Sequence, residues 1–416
     1  LFCFQILVGQ ALPPIENFGI SDYGAGSQNW AISQDDNNHI YVGNNKGLLE
    51  YNGSAWKLYP SYNSTIIRSV KVIENKVYTG FYMDFGYWGK DSTGVFKFHS
   101  LVKDLQLELI EDEHFWNIEA RDEWILFQSL DRIYLYNTLD SVSEVIDFQT
   151  TRAKIFNLND GIYVQRQERG LFAIRNGSLE LISDNDVFKK ELVIGLHEWH
   201  NQRLVITEKG DFFIWNGKES VEEWDLNSLD EFGELNIYSS LKLKNGGLIL
   251  GTISNGFIHL DSGGRLLQSV NFEHGLNNNT VLSIYEDTDE NLWLGLDNGI
   301  SIVNLNSAFR VFKDTKGKLG AVYASLEHDG WLYLGTNQGL FCKRSDSFGD
   351  FRMIRGTNGQ VWSLQVLKGT IFCGHNKGTF AVDADNAVLI SDSSGTWCLA
   401  PVQSRDHLLI QGNYNG

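Results

Sequence analysis

The 416 residues include 41 glycines, only 4 prolines and 13% aromatics, a composition that excludes a disordered segment and suffices for one large or two medium domains. A formal net charge of −18 speaks against a surface built for nucleic-acid phosphates. No run of eighteen apolar residues is present to cross a bilayer as a helix.

The chain opens on "LFCFQILVGQA" (1–11), apolar and ending on a small residue. It reads as a residual signal peptide whose basic start is missing; a buried strand is the alternative, disfavoured by Pro13-Pro14 directly after it. Next comes "IENFGISDYGAGSQNW" (15–30), which resembles "SVNFEHGLNNNTV" (269–281), where a fourth strand precedes a first one. Ile15–Phe18 is therefore expected to be an orphan fourth strand, completing a sheet that lacks one.

From residue 40 a single phrase recurs. In "IYVGNNKGLLEYNG" (40–53) an apolar strand ends at Gly43, a short polar turn ends at Gly47, and a second apolar strand follows. The second copy is stretched: thirteen residues separate Gly80 from Gly94, against three between Gly43 and Gly47, so residues 81–93 read as an aromatic insertion. Two copies replace the first glycine with Gln128 and Gln165. The phrase then returns with Gly251 and Gly256, Gly295 and Gly299, Gly335 and Gly339, and Gly374 and Gly378. The second glycines recur about every forty residues, the period of four-stranded sheets repeated radially.

The copy at 278–313 gives the unit: "TVLSIYED", "LWLGL", "ISIVN" and "FRVFK" as four strands joined by Asn-, Asp- and Gly-rich turns. Gly299 stands where a tight hairpin needs positive φ, and Gly295 where a missing side chain lets backbone approach. The strands are apolar on both faces, as expected of a sheet packed between two others. Ten copies start near Trp30, Ile67, Phe115, Ile155, Val193, Ile237, Val281, Val322, Val361 and Trp397. The expected fold is all-β: a seven-bladed β-propeller of four-stranded antiparallel blades over 12–306, then the truncated start of a second propeller over 307–416, about three blades. The segment "NLNSAFRVFKDTKGKLGAV" (304–322) links them.

Two residue sets are candidates for binding. Tyr82, Asp84, Tyr87 and Trp88 crowd the stretched second copy; aromatic faces with a carboxylate suit a sugar ring, and equally a lid packed on itself. Trp30, Arg68, Trp116, Trp362 and Trp397 enter the first strands, which line a propeller's channel, so they either ring its mouth or pack inner strands. His197 and His200 are spaced i, i+3 without a third ligand and read as turn residues, so no metal site is expected. Cys342, Cys373 and Cys398 lie in apolar strands and read as small buried hydrophobes. No GxSxG, phosphate loop or paired zinc cysteines occur, and neither a catalytic residue nor a cofactor is expected.

"SIYEDTDENLWLGLDNGISIVN" (283–304) resembles the two-component regulator propeller repeat, with Glu290 and Leu296 in place of the usual glycine and threonine. That resemblance implies the extracytoplasmic, periplasmic sensor region of an inner-membrane signalling protein, homodimeric when whole. The wording of residues 29–53 and 68–89 is most similar to a flavobacterial branch with a LuxR-type helix-turn-helix output; a histidine kinase is the other output of the family. The partner would be a small molecule, an oligosaccharide or another protein, without nucleic acid at this region. A secreted glycan-active enzyme and a non-switching surface scaffold are the alternatives.

Overall fold

The computed structural model describes residues 12–416 except 62–63, 149–152, 176, 218–219, 312–313, 315–316, 346–350, 404 and 406–407; the proposed leader, 1–11, lies outside them. Its described strands form ten antiparallel sheets, nine of four strands and one of two. The chain divides into two compact units, Pro13–Phe309 and a second comprising Arg310–Gly416 with Leu12.

In the first unit, blade one runs Asn29–Gln34, Ile40–Asn44, Gly47–Tyr51 and Trp56–Pro60, each strand paired with the next. Five blades of the same order follow, with inner strands Ser69–Ile73, Asn117–Arg121, Ala153–Leu158, Val193–Trp199 and Ile237–Lys242. Blade seven has Val281–Glu286, Leu292–Leu296 and Ile300–Val303, and its fourth strand is Ile15–Phe18. Ile15 pairs with Val303 and Phe18 with Ile300. "FRVFK" does not take that place; Arg310 and Val311 group with the second unit, where Val311 exchanges backbone hydrogen bonds with Leu12. Blade one's inner strand packs against those of both blade two and blade seven, which closes the circle.

Apolar clusters fill the spaces between neighbouring sheets. Leu204 and Ile206 of blade five meet Leu248, Leu250 and Ile258 of blade six; Ile32, Val42 and Leu49 of blade one meet Trp293 and Ile300 of blade seven. At the inner edge the blades join through hydroxyls: Ser69 Oγ donates to Phe115 O at 3.0 Å, Ser239 Oγ to Val281 O at 3.2 Å and Ser283 Oγ to Asn29 O at 3.2 Å. Only a residue without a side chain fits behind such a contact. A Cβ on Gly295 would stand 2.5 Å from Asn29 O. Gly299 takes the expected positive φ, 94°, and Glu290, where the repeat resemblance puts glycine, has φ 61°.

Where glutamine replaces the first glycine, the junction is rebuilt with hydrogen bonds. Gln128 Nε2 donates to Ala153 O at 2.6 Å while its Oε1 accepts from Ile155 N at 3.2 Å. Gln165 Nε2 donates to Phe188 O and Glu191 O, and its Oε1 accepts from Val193 N at 3.0 Å. Each amide thus satisfies backbone groups of the following blade.

The expected insertion is absent. Asp84–Lys90 is the third strand of blade two, joined to Lys76–Phe81 by the short turn at Tyr82 and Met83. Met83 supplies the positive φ, 55°, that a glycine gives elsewhere. Asp84, paired with Phe81, stands where Gly47 pairs with Asn44; Gly86, two residues on, meets the fourth strand as Gly47 does, a Cβ there lying 2.0 Å from His99 O against 2.2 Å from Tyr59 O for Gly47. Gly94 belongs to the next turn, before Phe96–Ser100.

The second unit holds two four-stranded sheets with inner strands Val322–His328 and Val361–Leu367, and the pair Cys398–Pro401 with Leu409–Gly412. Tyr333, Leu340, Val361, Cys373 and Phe380 share its core. Cys342 and Cys373 are buried as expected; Cys398 is exposed, a correction that follows from its place on a two-stranded sheet.

One buried histidine makes a prediction. His259, in Phe257–Leu260 of blade six, is 7% exposed, and burial lowers its pKa from 6.5 to about 4. Above 6.5 the ring is neutral folded or unfolded; as pH falls from there toward 4, the unfolded chain takes the proton first and the fold weakens. This single group accounts for about 3 kcal/mol across that window. His259→Leu should remove that share of the pH dependence in urea unfolding measured at steps from neutral pH downward; an unchanged slope would refute it.

Candidate ligand-binding site at the inner-strand bulges

Several inner strands enter their sheets with one extra residue. The pairing shifts between Asn29 and Ala31, Val193 and Gly195, Ile237 and Ser239, and Val281 and Ser283, which leaves Trp30, Ile194, Tyr238 and Leu282 as bulged residues. A bulge re-aims its side chain out of the ladder. Arg68 and Trp116 hold the equivalent place, one residue ahead of the pairs Ser69–Gly80 and Asn117–Gln128. Their backbone N–H groups donate to Gly80 O and Gln128 O.

Three of these residues, from blades one to three, come together. The Arg68 guanidinium lies 4.3 Å from the Trp30 ring and 4.3 Å from the Trp116 ring, and the two indoles stand edge to face at 6.2 Å and 85°. Trp30 Nε1 donates to Asn45 Oδ1 at 2.8 Å. Arg68 Nε and Nη1, Trp116 Nε1 and His114 Nδ1 are buried without a hydrogen-bond partner among the described residues. The His114 ring bridges outward, 6.3 Å from Trp116 and 4.9 Å from Tyr82, whose hydroxyl donates to Asp112 at 2.7 Å.

Burial is the main cause of the pKa shifts of Arg68, His114 and Tyr238, whereas the hydrogen bond to Asp112 is what chiefly raises Tyr82. Burial lowers Arg68, and it lowers His114, helped by the Arg68 charge and opposed by Asp112. It raises Tyr238, which the Arg68 charge pulls back. Tyr238 belongs to blade six, so it interacts with an arginine of blade two only across the axis of the ring. The cluster faces the channel.

The two candidate sets are thus partly joined and partly parted. Tyr82 reaches Trp116 through His114, while Asp84, Tyr87 and Trp88 turn into blade two. Asp84 is 1% exposed and accepts from Ser100 Oγ; Trp88 Nε1 donates to Thr79 Oγ1 at 3.0 Å. Tyr87 stacks on His99 at 5.0 Å, with Lys76 Nζ 4.3 Å from its ring centre. Trp362 and Trp397 belong to the second unit, stacked at 4.5 Å and 20°, with Tyr323 against Trp362 at 5.3 Å. Trp362 Nε1 donates to Tyr414 Oη at 3.0 Å.

Sequence reading missed His114, Tyr238 and Tyr323. The last two carry a usable signal, since each precedes the first-strand Ser or Ala as Trp30 and Arg68 do. His197 is corrected from a turn residue to a strand residue of Val193–Trp199, its Nε2 2.8 Å from Ser240 Oγ; His200 does lie in the turn. Among the described residues no group of three His, Cys, Asp or Glu gathers to hold a metal. A cleft of about 390 Å³ opens beside Arg121, Glu123, Trp124, Glu144 and Arg175 of blades three and four. Its arginines are engaged in holding the blades: Arg121 donates to Leu158 O and Asn159 O, Arg175 to Asp160 O.

Comparison with known proteins gives the following. A two component regulator propeller model matches residues 275–298. No curated protein matches. Among solved structures, the extracellular domain of the putative hybrid two component system BT3049 from B. thetaiotaomicron is 15% identical, with TM-score 0.70, covering 96% of this chain and 58% of that one. The extracellular domain of the putative one component system BT4673 from the same organism is 19% identical, with TM-score 0.56, covering 96% and 57%. Virginiamycin B lyase from Staphylococcus aureus is 10% identical, with TM-score 0.54, covering 70% of this chain and 99% of the lyase. At such identities the likeness establishes the β-propeller fold. The chain spans a little over half the length of the two extracellular domains.

Proposed function

We propose that this chain is the extracytoplasmic sensor region of a membrane-spanning signal-transduction regulator, with no catalysis of its own. The observation that carries this reading is where the regulator-propeller match falls. Residues 275–298 hold the first two strands of blade seven, the blade closed by Ile15–Phe18, and 96% of the chain superposes on extracellular domains of putative one- and two-component systems. In this reading the first unit is a complete propeller and Arg310–Gly416 begins a second. The wording of the repeats favours a flavobacterial LuxR-type output beyond a single inner-membrane helix, with a histidine kinase as the other form. The whole protein works as a homodimer. A small molecule, oligosaccharide or partner protein shifts it between two arrangements, which requires different affinity for each.

An alkaline phosphatase fused after Gly416, in the native gene context, tests the placement: activity is expected, since that enzyme matures outside the cytoplasm. Reading the gene past residue 416 tests the rest. A membrane helix followed by a DNA-binding or kinase module is expected; a hydrolase module, or a stop with no helix, would overturn the proposal.

A further inference from the structure

We infer that the Trp30–Arg68–Trp116 cluster is a binding site for an oxyanion, a carboxylate or a sulfate, borne by a small ligand that enters the channel. The inference is independent of the sensor reading, because a scaffold or an enzyme would use such a site equally.

A guanidinium partly removed from water, as Arg68 is through Nε and Nη1, gains from an acceptor, and the chain supplies one in two other stacks. Arg203 lies 4.8 Å from the Trp215 ring and 5.0 Å from Tyr163, and it is ion-paired with Asp160 at 2.5 Å. Arg352 lies 5.6 Å from the Trp331 ring and is paired with Asp385 at 2.9 Å. Arg166, over Phe172 at 4.8 Å, is the exception, its Nε likewise without a hydrogen-bond partner among the described residues. Among the described residues Arg68 has two indole faces and no carboxylate in an ion pair, and both Nε and Nη1 lack an acceptor. In a chain of net charge −18 a carboxylate within reach would be an unremarkable thing to find; here the position is left open.

The surroundings fit an anion. Trp116 Nε1, on a ring 4.3 Å from the guanidinium carbon, and His114 Nδ1, on a ring 6.3 Å from Trp116, are further ring nitrogens without a partner among the described residues. Asp112, an acidic group on the cluster's rim, accepts from the Tyr82 hydroxyl at 2.7 Å. The guanidinium carbon is held 4.3 Å from each of two ring centres, which narrows the positions its donors can take before a ligand arrives. An oxyanion accepting from a guanidinium's paired donors is the recognition that arginine serves best.

The test is calorimetric titration of the full 416-residue chain, with tryptophan fluorescence read in parallel. The probes are sodium acetate, sodium glucuronate and sodium sulfate, against sodium chloride at matched ionic strength and neutral glucose. Saturable binding is expected for at least one oxyanion and for neither control. Preference for glucuronate and acetate over sulfate assigns a carboxylate, and the reverse order a sulfate. Arg68→Met should weaken binding about ten- to a hundredfold, the worth of a charge-assisted hydrogen bond. Arg68→Lys keeps the charge and loses the stacked fork, so it should weaken binding also and serves if the Met variant fails to fold. Trp116→Phe keeps an aromatic face, removes the indole N–H, and should weaken binding less. No saturable response to any oxyanion, or a response that Arg68→Lys and Arg68→Met leave unchanged, would overturn the site.

Discussion

A chain cut to begin at Gly19 should fail to give a single cooperative thermal transition for the first unit. The cut removes Ile15–Phe18, the outer strand of blade seven, and leaves Ile300–Val303 with an unpaired edge. Two consequences follow. The ladder from Ile15–Val303 to Phe18–Ile300 is lost, and with it the tie between the start of the unit and its last blade. Asn17 also leaves: its Nδ2 donates to Gly275 O at 2.8 Å and its Oδ1 accepts from Ser301 Oγ at 2.6 Å. An exposed apolar edge pairs with other chains, so self-association should accompany the loss. Calorimetry and size-exclusion chromatography together check this. A truncated chain that melts once, as a monomer, at the parent temperature would mean that the ring does not need its N-terminal strand.

Gly295→Ala should destabilise the ring by about 2 kcal/mol or more, as overpacking does in a well-packed core. The new Cβ would lie 2.2 Å from Ser283 Oγ and 2.5 Å from Asn29 O, and the second of these is backbone that cannot rotate away. The contact sits at the junction of blades seven and one, where the circle closes. Gly89→Ala is the matched control, also inside a strand, where the nearest atom would be Tyr87 Cε2 at 3.7 Å. It should change stability by no more than about 0.5 kcal/mol. Chemical denaturation of both variants decides; equal effects would remove blade approach as the reason for the inner glycines.

The fold was largely legible because one requirement recurs in most blades. Where a first strand abuts its neighbour's backbone, a side chain vanishes or hydrogen-bonds, and Gly43, Gly251, Gly295, Gly335 and Gly374 advertise that place; blade five, with Ile206 there opposite Gly195, is the exception. The closing strand was legible for a related reason: "IENFG" repeats the wording of "VNFEHG". Blade two misled because its turn takes positive φ at Met83 instead of a glycine, which shifted the count onto Gly94 and turned a strand into an insertion. The candidate site was half legible. Trp30, Arg68 and Trp116 share one position in the repeat, but no spacing tells that the arginine lies between the two indoles. Tyr238 stands at that position too, and His114 lies on the passage between blades two and three, outside the repeat. Distances across the axis are not written in a forty-residue period.

The two glutamines bear on how this molecule can be re-engineered. Redrawing every blade to the majority pattern is a common way to stabilise repeats, and it would put glycine at 128 and 165. Here that edit strips Ala153 O, Ile155 N and Val193 N of the side chain that answers them, at two junctions where no serine hydroxyl has been recruited instead. The averaged protein would be weaker than the irregular one. These blades cannot be swapped, copied or shuffled as equals, for each junction was tailored to the one after it.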